Sequence, residues 1–563
     1  MKFMKRYILL QAFILLSGIV MADDVEINGI HYIFHESDKI AEVTCYTYSG
    51  SISIPETVTY NDVEYNITKI GRGAFKDCSE LTSVEMPEKL TSIGAYAFRN
   101  CTGITSISIP QSVTTIERYA FEGCNKLTSV NIKDLASWCK INFGNIYANP
   151  LIYAHRLFID GKEATNIVIP SDIKTIPYST FYGCSSLITV TLPPDLQSIN
   201  AYAFRDCISL KSISIPNSVT EIGIGVFKGC SNLTSVTLPN NLVEIGLDAF
   251  RDCSNLTSIS IPDCVHIINN FAFSGCSSLS SVHITNLAKW CDIKFGDTFS
   301  NPLSIAHHLF INGVEVTNLE LADGINHIRD YTFSGCHGLK SVVIPKSVKK
   351  IGSFSFNNCC EMTSVTIPDN VQAIESCAFD GCTKLTSVTI PDSITTIESA
   401  VFYGCTSLNS VIIGKKVSSI GFQAFEGCKN LNTIKILPQT PPSVNDYSFD
   451  DYNKTLLVPE ESLSLYTNTD PWKNFSTIIP YNDEGTTCIK ATKEETLKIR
   501  SFNGFITISN ADEGELVNIY TATGTSVGTA IIRNGQAYVE THIKPGSIAI
   551  VKVGCKTMKI IMQ

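Results

Sequence analysis

A phenylalanine is followed three residues later by a cysteine thirteen times in this chain. The phenylalanines stand at 75, 98 and 121, then at 181, 204, 227, 250 and 273, then at 333, 356, 379, 402 and 425. Within each group the step is 23 residues without exception, and both gaps between groups are 60 residues, one step plus 37. A strict period of this size means one small structural unit stacked many times along an axis. Such a unit cannot bury its apolar side alone, so the stack as a whole must supply the core.

One unit, Leu233 to Asn255, reads LTSVTLPNNLVEIGLDAFRDCSN. The alternation over Ser235 to Leu238 is that of a half-buried strand, with Val236 and Leu238 inward and Ser235 and Thr237 wet. Pro239 ends the run, Leu242 and Ile245 return to the interior, and Gly246 permits a turn. The segment DAFRDC fits one helical turn that places Phe250 and Cys253 on the same side.

The thirteen cysteines admit four roles. A metal needs ligands converging on a point, whereas these form a line without a repeating histidine. Disulfides between successive coils have Cα atoms at a permitted separation, but the Cβ vectors of a ladder run parallel, and groups of three, five and five would strand thiols. A nucleophile is found once, not thirteen times. The favoured role is a small hydrophobe with a weak donor, filling the inside of the turn behind phenylalanine.

The two 60-residue gaps are copies of each other. DLASWCKINFGNIYANPLIYAHRLFIDG precedes NLAKWCDIKFGDTFSNPLSIAHHLFING by 152 residues, so the chain carries a duplicated block as well as a short repeat. Each copy ends in a two-residue hairpin signal, Asp160-Gly161 and Asn312-Gly313. A helix and a hairpin are expected to project from the stack near residues 132–166 and 284–318. The pairs Cys139/His155 and Cys291/His307 raise a hydrolase as a remote alternative. Trp138, Phe143, Pro150 and Leu151 recur with them as Trp290, Phe295, Pro302 and Leu303, as a copied structural insert requires.

The repeat LTSVTLPNNLVEIGLDAFRDC resembles the leucine-rich repeat of bacterial surface antigens, the BspA-like type, over residues 66–435. The resemblance implies a leucine-rich repeat solenoid with a parallel strand on the concave side and a helical turn on the convex side of each coil. It also implies adhesion to host or microbial macromolecules, extracellular matrix proteins among them, with no cofactor and no enzymatic activity.

The ends differ from the repeat. Lys2, Lys5 and Arg6 precede an apolar run from Tyr7 to Val20, and Val20 and Ala22 stand before Asp23, as in a secretory signal of residues 1–22. An uncleaved anchor is the alternative, for which the apolar run is short. Residues 23–65 alternate polar and apolar and are expected to form an N-terminal β cap. Residues 436–486 are expected to close the solenoid, with Trp472 and Phe475 at its end.

Residues 487–563 lack the repeat and contain short β-like runs, TLKIRSF, FITISN, LVNIYTATG, AYVETHI and SIAIVKVG, expected to form a small β-sandwich. VNIYTATGTSVG with KPGSIAIVKVGCKTMKIIMQ resembles the C-terminal sorting domains of Bacteroidetes type IX secretion, which implies passage to the cell surface. Ile548 departs from that pattern, in which an aromatic usually follows the Pro-Gly pair. A plain accessory β domain is the alternative.

The formal net charge is −10, which provides no basic field for nucleic acid or anionic lipid. Outside the signal no stretch is long and apolar enough to span a membrane. Function therefore falls to the surface, for which extracellular or host-surface proteins are the expected partners and glycans the alternative. The strand face is rich in hydroxyls, represented by Ser212, Ser235, Thr237 and Ser258, and poor in aromatics. Aromatic and basic residues gather instead around the turn, as Tyr96, Arg99, Arg118, Tyr119, Tyr202 and Arg205, and in the inserts, as Tyr147, Tyr153, Arg156 and Phe299. Tyrosine and arginine are the residue types that dominate protein-binding hot spots.

Overall fold

The computed structural model describes residues 24–481 except 446, and residues 497–562 except 503–504, 510, 512–513, 534–535, 545–546 and 555. The segment expected to be a secretory signal, residues 1–22, lies outside these residues. The chain divides into two compact units, one of Met1–Lys340 with Gly352–Cys360, the other of Ser341–Ile351 with Glu361–Gln563.

In the first unit each coil contributes two parallel strands rather than one. Ser235–Thr237 pairs in register with Ser212–Ser214, placing Val236 beside Ile213. Nine residues on, Glu244–Ile245 pairs with Glu221–Ile222 on one side and Ile267–Ile268 on the other. The inward residues Leu242 and Ile245 are fully buried. A two-residue strand is too short to show alternation, which is why the sequence pattern reveals only the first. Gly246 follows because a Cβ there would lie 2.6 Å from the carbonyl oxygen of Ile222 in the preceding coil.

The expected helical turn is not a helix. Over residues 248–253 the backbone alternates between two kinds of hydrogen bond. The N–H groups of Ala249, Arg251 and Cys253 close turns onto the carbonyls of Gly246, Asp248 and Phe250. Those of Asp248, Phe250 and Asp252 instead donate to Asn270, Ala272 and Ser274 in the next coil, at 3.1, 2.8 and 2.7 Å. To aim every second N–H along the stack, Asp248 and Asp252 adopt left-handed conformations, φ 57° and 61°. A helix would direct all six N–H groups along its own axis and leave the coils unjoined. Phe250 and Cys253 still face inward, fully buried, as the sequence suggests.

The phenylalanines stack ring on ring. Centroids are 5.2, 5.8, 5.5 and 5.4 Å apart along Phe181, Phe204, Phe227, Phe250 and Phe273, with interplanar angles of 6–13°. Tyr48 extends the first group, 4.9 Å from Phe75. The cysteines form a parallel column in which the thiols beyond the first coil of a group reach the phenylalanine carbonyl 26 residues earlier, as nine of them do, whereas Cys78 at the head of the first group donates to the Tyr46 carbonyl at 3.3 Å. Cys101 donates to Phe75 at 2.9 Å, Cys230 to Phe204 at 3.1 Å and Cys253 to Phe227 at 3.1 Å. This explains cysteine rather than alanine: the pocket is small, buried and holds a carbonyl with room for a weak donor.

Burial pushes the thiols up, that of Cys124 to about 12 and that of Cys253 well above the usual range, so they remain protonated at neutral pH. Titration of the unreduced chain in denaturant should find most of the 21 cysteines free. In the native protein the exposed Cys45 and Cys264 should react with a maleimide first, and the ladder only on unfolding. Rapid labelling of the ladder in the native state would overturn the packing role.

The inserts are woven into the stack as enlarged coils rather than projected from it. Asn142–Phe143 pairs in parallel with Thr115–Ile116, and Leu157–Ile159 with the strand Ser129–Ile132. Only the hairpin through Asp160-Gly161 stands out, Phe158 opposite Glu163. The buried Trp138 donates through Nε1 to the Thr180 carbonyl at 3.0 Å, and Trp290 repeats this to Thr332 at 3.0 Å. Each insert thus supplies the donors that a regular turn would supply, because tryptophan and Asn149 or Asn301 reach the carbonyls of the following coil.

The second unit continues the pattern with its own phenylalanine stack, Phe379, Phe402, Phe425 and Phe449, at 5.4–5.5 Å. Trp472 and Phe475 pack edge-on against Phe449 at 6.3 and 5.9 Å, and Trp472 is fully buried. Beyond the undescribed residues 482–496 the same unit holds two antiparallel sheets. One contains Lys498–Phe502, Phe505–Ser509 and Gln536–Glu540. The other contains Ser526–Ile531, Leu516–Thr521, Ile548–Val553 and Lys556–Ile561. Ile506, Val539, Ile519 and Val551 belong to one buried cluster drawn from both sheets.

Candidate partner-binding surface

The turn has two left-handed positions per coil, one two residues after the phenylalanine and one two before it. The later position is held by Asp77, Asn100, Gly123, Asp206 and Asp252, residue types that tolerate this backbone. In six coils the earlier position is held by an aromatic, Tyr96, Tyr119, Tyr202, Phe271, Tyr331 or Phe354, with φ between 55° and 63°; in the others it is Gly73, Ser179, Gly225, Asp248, Cys377, Ala400 or Gln423. A bulky aromatic gains nothing from that backbone, which glycine or asparagine would adopt at lower cost. The conformation is imposed by inter-coil bonds on both sides, as where Tyr96 N–H donates to Arg118 and Phe98 N–H to Ala120. Which side chain occupies it is a separate choice.

These aromatics stand half-exposed on the outside of the turn and stack. Tyr96 and Tyr119 lie 5.2 Å apart at 6°, and Tyr147 continues the column 5.8 Å from Tyr119. Tyr147 comes from the short 3-10 turn Ile146–Ala148 of the first insert, so the enlarged coil keeps the column unbroken. The guanidinium groups of Arg72 and Arg99 lie 5.6 and 5.5 Å from the Tyr96 ring. Glu122 holds Arg99 in place, with a carboxylate oxygen 2.7 Å from Nε. Arg118 is exposed beside Tyr119.

A second cluster repeats the chemistry, with Arg205 packed 5.5 Å from the ring of Tyr202 and 4.9 Å from that of Tyr182. Phe271 and Phe299 form a third, 6.4 Å apart and both substantially exposed, with Phe299 donated by the second insert. The structure therefore brings Tyr96, Arg99, Arg118, Tyr119 and Tyr147 onto one surface, and Tyr202 with Arg205 onto another part of the same kind of column. It separates the rest. Tyr153 accepts the Gly123 N–H at 3.0 Å and acts as a brace. Arg156 is engaged in a two-point pair with Glu163 across the hairpin. Ser212, Ser235, Thr237 and Ser258 lie on the strand Ser235–Thr237 and its neighbours, away from the turn. Arg72, Phe271 and Phe354 escape a reading by residue type alone, although the register two before phenylalanine marks the last two.

The insert cysteines do not form a thiol site. Cys139 is buried beneath the helix Leu135–Trp138, and burial pushes its thiol up to about 12, far from a thiolate at neutral pH. His155 and His307 cap short helices in left-handed conformations and bond through Nδ1 to the Gly183 and Gly335 carbonyls at 3.1 and 2.9 Å. Among the described residues no three His, Cys, Asp or Glu side chains converge as a metal would require, and no helix is long and apolar enough to cross a membrane.

No curated protein matches the chain. Among solved structures it is similar to a leucine-rich repeat protein from Bacteroides ovatus, 27% identical, covering 73% of this chain and 94% of that one with a TM-score of 0.46. A leucine-rich cell surface protein from Faecalibacterium prausnitzii is 26% identical, covers 74% and 94%, and has a TM-score of 0.37. The pneumococcal vaccine antigen PcpA is 16% identical over 82% and 99%, with a TM-score of 0.37. The family model described as BspA type Leucine rich repeat region (6 copies) matches residues 49–146, 153–280, 303–432 and 356–468. With well over half of its length so matched, the chain belongs to the BspA type leucine-rich repeat family.

Proposed function

We propose that this is an exported, surface-displayed, non-enzymatic adhesin that holds an extracellular or host-surface protein through the aromatic column of its turns. The observation that carries the reading is the stack of Tyr96, Tyr119 and Tyr147 with Arg72 and Arg99. Tyr96 and Tyr119 occupy left-handed backbone that costs an ordinary residue roughly 1–2 kcal/mol. Stacking returns about 0.5–1.5 kcal/mol per pair, which roughly offsets that cost and leaves the choice of tyrosine near neutral for stability. A rigid, half-exposed row of tyrosines with adjacent guanidinium groups has the composition of a binding hot spot. In the same reading residues 1–22 are a secretory signal, and residues 487–563 are a β-sandwich that serves as a sorting or accessory domain.

The test is a triple variant, Tyr96→Ala, Tyr119→Ala and Tyr147→Ala, measured by surface plasmon resonance against extracellular matrix proteins and by adhesion to host cells. Loss of about 2 kcal/mol or more corresponds to roughly 30-fold weaker binding. A control altering Ser212, Ser235 and Ser258 to alanine should bind as the parent does. The opposite pattern, with the serine variant failing and the tyrosine variant unaffected, would move the site to the strand face.

A further inference from the structure

The two copies of the duplicated block are not equivalent at the foot of their hairpins. In the second copy a groove of about 500 Å³ opens between the hairpin tip at Asn312 and the ends of the strands Ser235–Thr237, Ser258–Ser260 and Ser281–Ile284. This is within the range of about 300–1,000 Å³ typical of small-molecule sites. Subtracting 152 gives the matching positions of the first copy, where Asn240 becomes Glu88 and Thr285 becomes Lys133. There Lys133 Nζ pairs with Glu88 Oε1 at 2.5 Å, so an ion pair stands at the two positions that are Asn240 and Thr285 in the second copy.

We infer that the second-copy groove is a binding site for a neutral saccharide, separate from the aromatic column. Its rim presents the carboxamides of Asn240 and Asn312, the hydroxyls of Ser260 and Thr285, the Asp263 carboxylate and the His283 imidazole. Three of these are already oriented. Thr285 Oγ1 donates to Asp263 at 2.7 Å, and His283 stacks on Phe310 at 4.9 Å with Nε2 3.0 Å from Ser281 Oγ. Buried Leu238 and Ile261 form an apolar floor.

Close-set donors and acceptors over an apolar floor match the hydroxyls and C–H faces of a sugar ring. No lysine or arginine lines the groove, so it lacks the countercharge for a sulfated, phosphorylated or sialylated ligand. An extended peptide is poorly served, because the local backbone donors are spent: Ile261 N–H on the His283 carbonyl and Asn312 N–H on that of Ile284.

The groove is tested by giving it the first copy's bridge, Asn240→Glu with Thr285→Lys, in the full chain. The probe is an array of neutral hexose and N-acetylhexosamine oligomers with sialylated and sulfated counterparts, followed by calorimetric titration of each neutral hit. The parent is expected to bind neutral oligosaccharides and the double variant to lose at least tenfold in affinity. Its thermal midpoint should be unchanged, since the same pair already fits this architecture at Glu88 and Lys133. Asp263→Asn, which keeps the shape and removes the charge, should weaken binding as well. Absence of any neutral ligand at millimolar concentration, equal binding by the double variant, or preference for acidic glycans would each overturn the assignment. The tyrosine triple variant should retain saccharide binding, so this result and the adhesion result fail separately.

Discussion

Replacing Phe227 with alanine should lower the unfolding free energy by about 3–5 kcal/mol, the range for removing a fully buried phenylalanine. Phe227 has no exposed surface and lies between Phe204 and Phe250 at 5.8 and 5.5 Å. Its loss opens a cavity and deletes two ring contacts at once. The surrounding coil cannot collapse into the space, because its Phe227 N–H is fixed to Ala249 and its carbonyl accepts the Cys253 thiol. In a stack each unit is held by its neighbours, so the damage should appear as faster hydrogen exchange in the adjoining coils before global unfolding. Denaturant titration with hydrogen exchange measures both. A change below about 1 kcal/mol would mean that the ring column is not the core.

Trp290→Ala should cost a similar amount, about 3–5 kcal/mol, again through the cavity left behind. The indole is 1% exposed, packs edge-on against Phe295 at 5.2 Å and bonds the Thr332 carbonyl. That carbonyl also accepts from Asn301 Nδ2 at 3.1 Å, so the expected cost is the cavity rather than an orphaned acceptor. Trp290→Phe should therefore recover most of the loss. Trp138→Ala should match Trp290→Ala to within about 1 kcal/mol, because Asn149 backs up the Thr180 carbonyl at 3.2 Å in the same way. If Trp290→Phe were as damaging as Trp290→Ala, the N–H bond and not the packing would be the essential contact.

Much of this architecture is legible in the sequence because the stack is in register with its own repeat. Val236, Leu242, Ile245, Phe250 and Cys253 can be assigned inward from one unit, since a position that recurs at a 23-residue step must face its own copies. The hairpin at Asp160-Gly161 is likewise readable, because its two left-handed residues are a local requirement of the turn. The turn around Phe250 was not readable as built. Its form depends on hydrogen bonds to carbonyls 22 residues away, and the aromatic residues at Tyr96 or Phe271 disguise a left-handed site that Gly73 and Gly225 announce in other coils. The column of Asp77, Asn100, Gly123 and Asp252 carried the signal, and it argues against a helix once its backbone preference is considered.

The sequence by itself determined the stack, its inward columns and the packing role of its cysteines, because each follows from a side chain meeting its own repeat in the next coil. Only the tertiary structure decided that the turn is left-handed at two points, that Tyr147 from an insert completes the row begun by Tyr96 and Tyr119, and that Lys133 pairs with Glu88 in one copy of the duplicated block while a groove opens beside Asn240 and Thr285 in the other. Those features depend on how the inter-coil hydrogen bonds orient the backbone and on which side chains reach across a gap. Neither is a property of any single repeat.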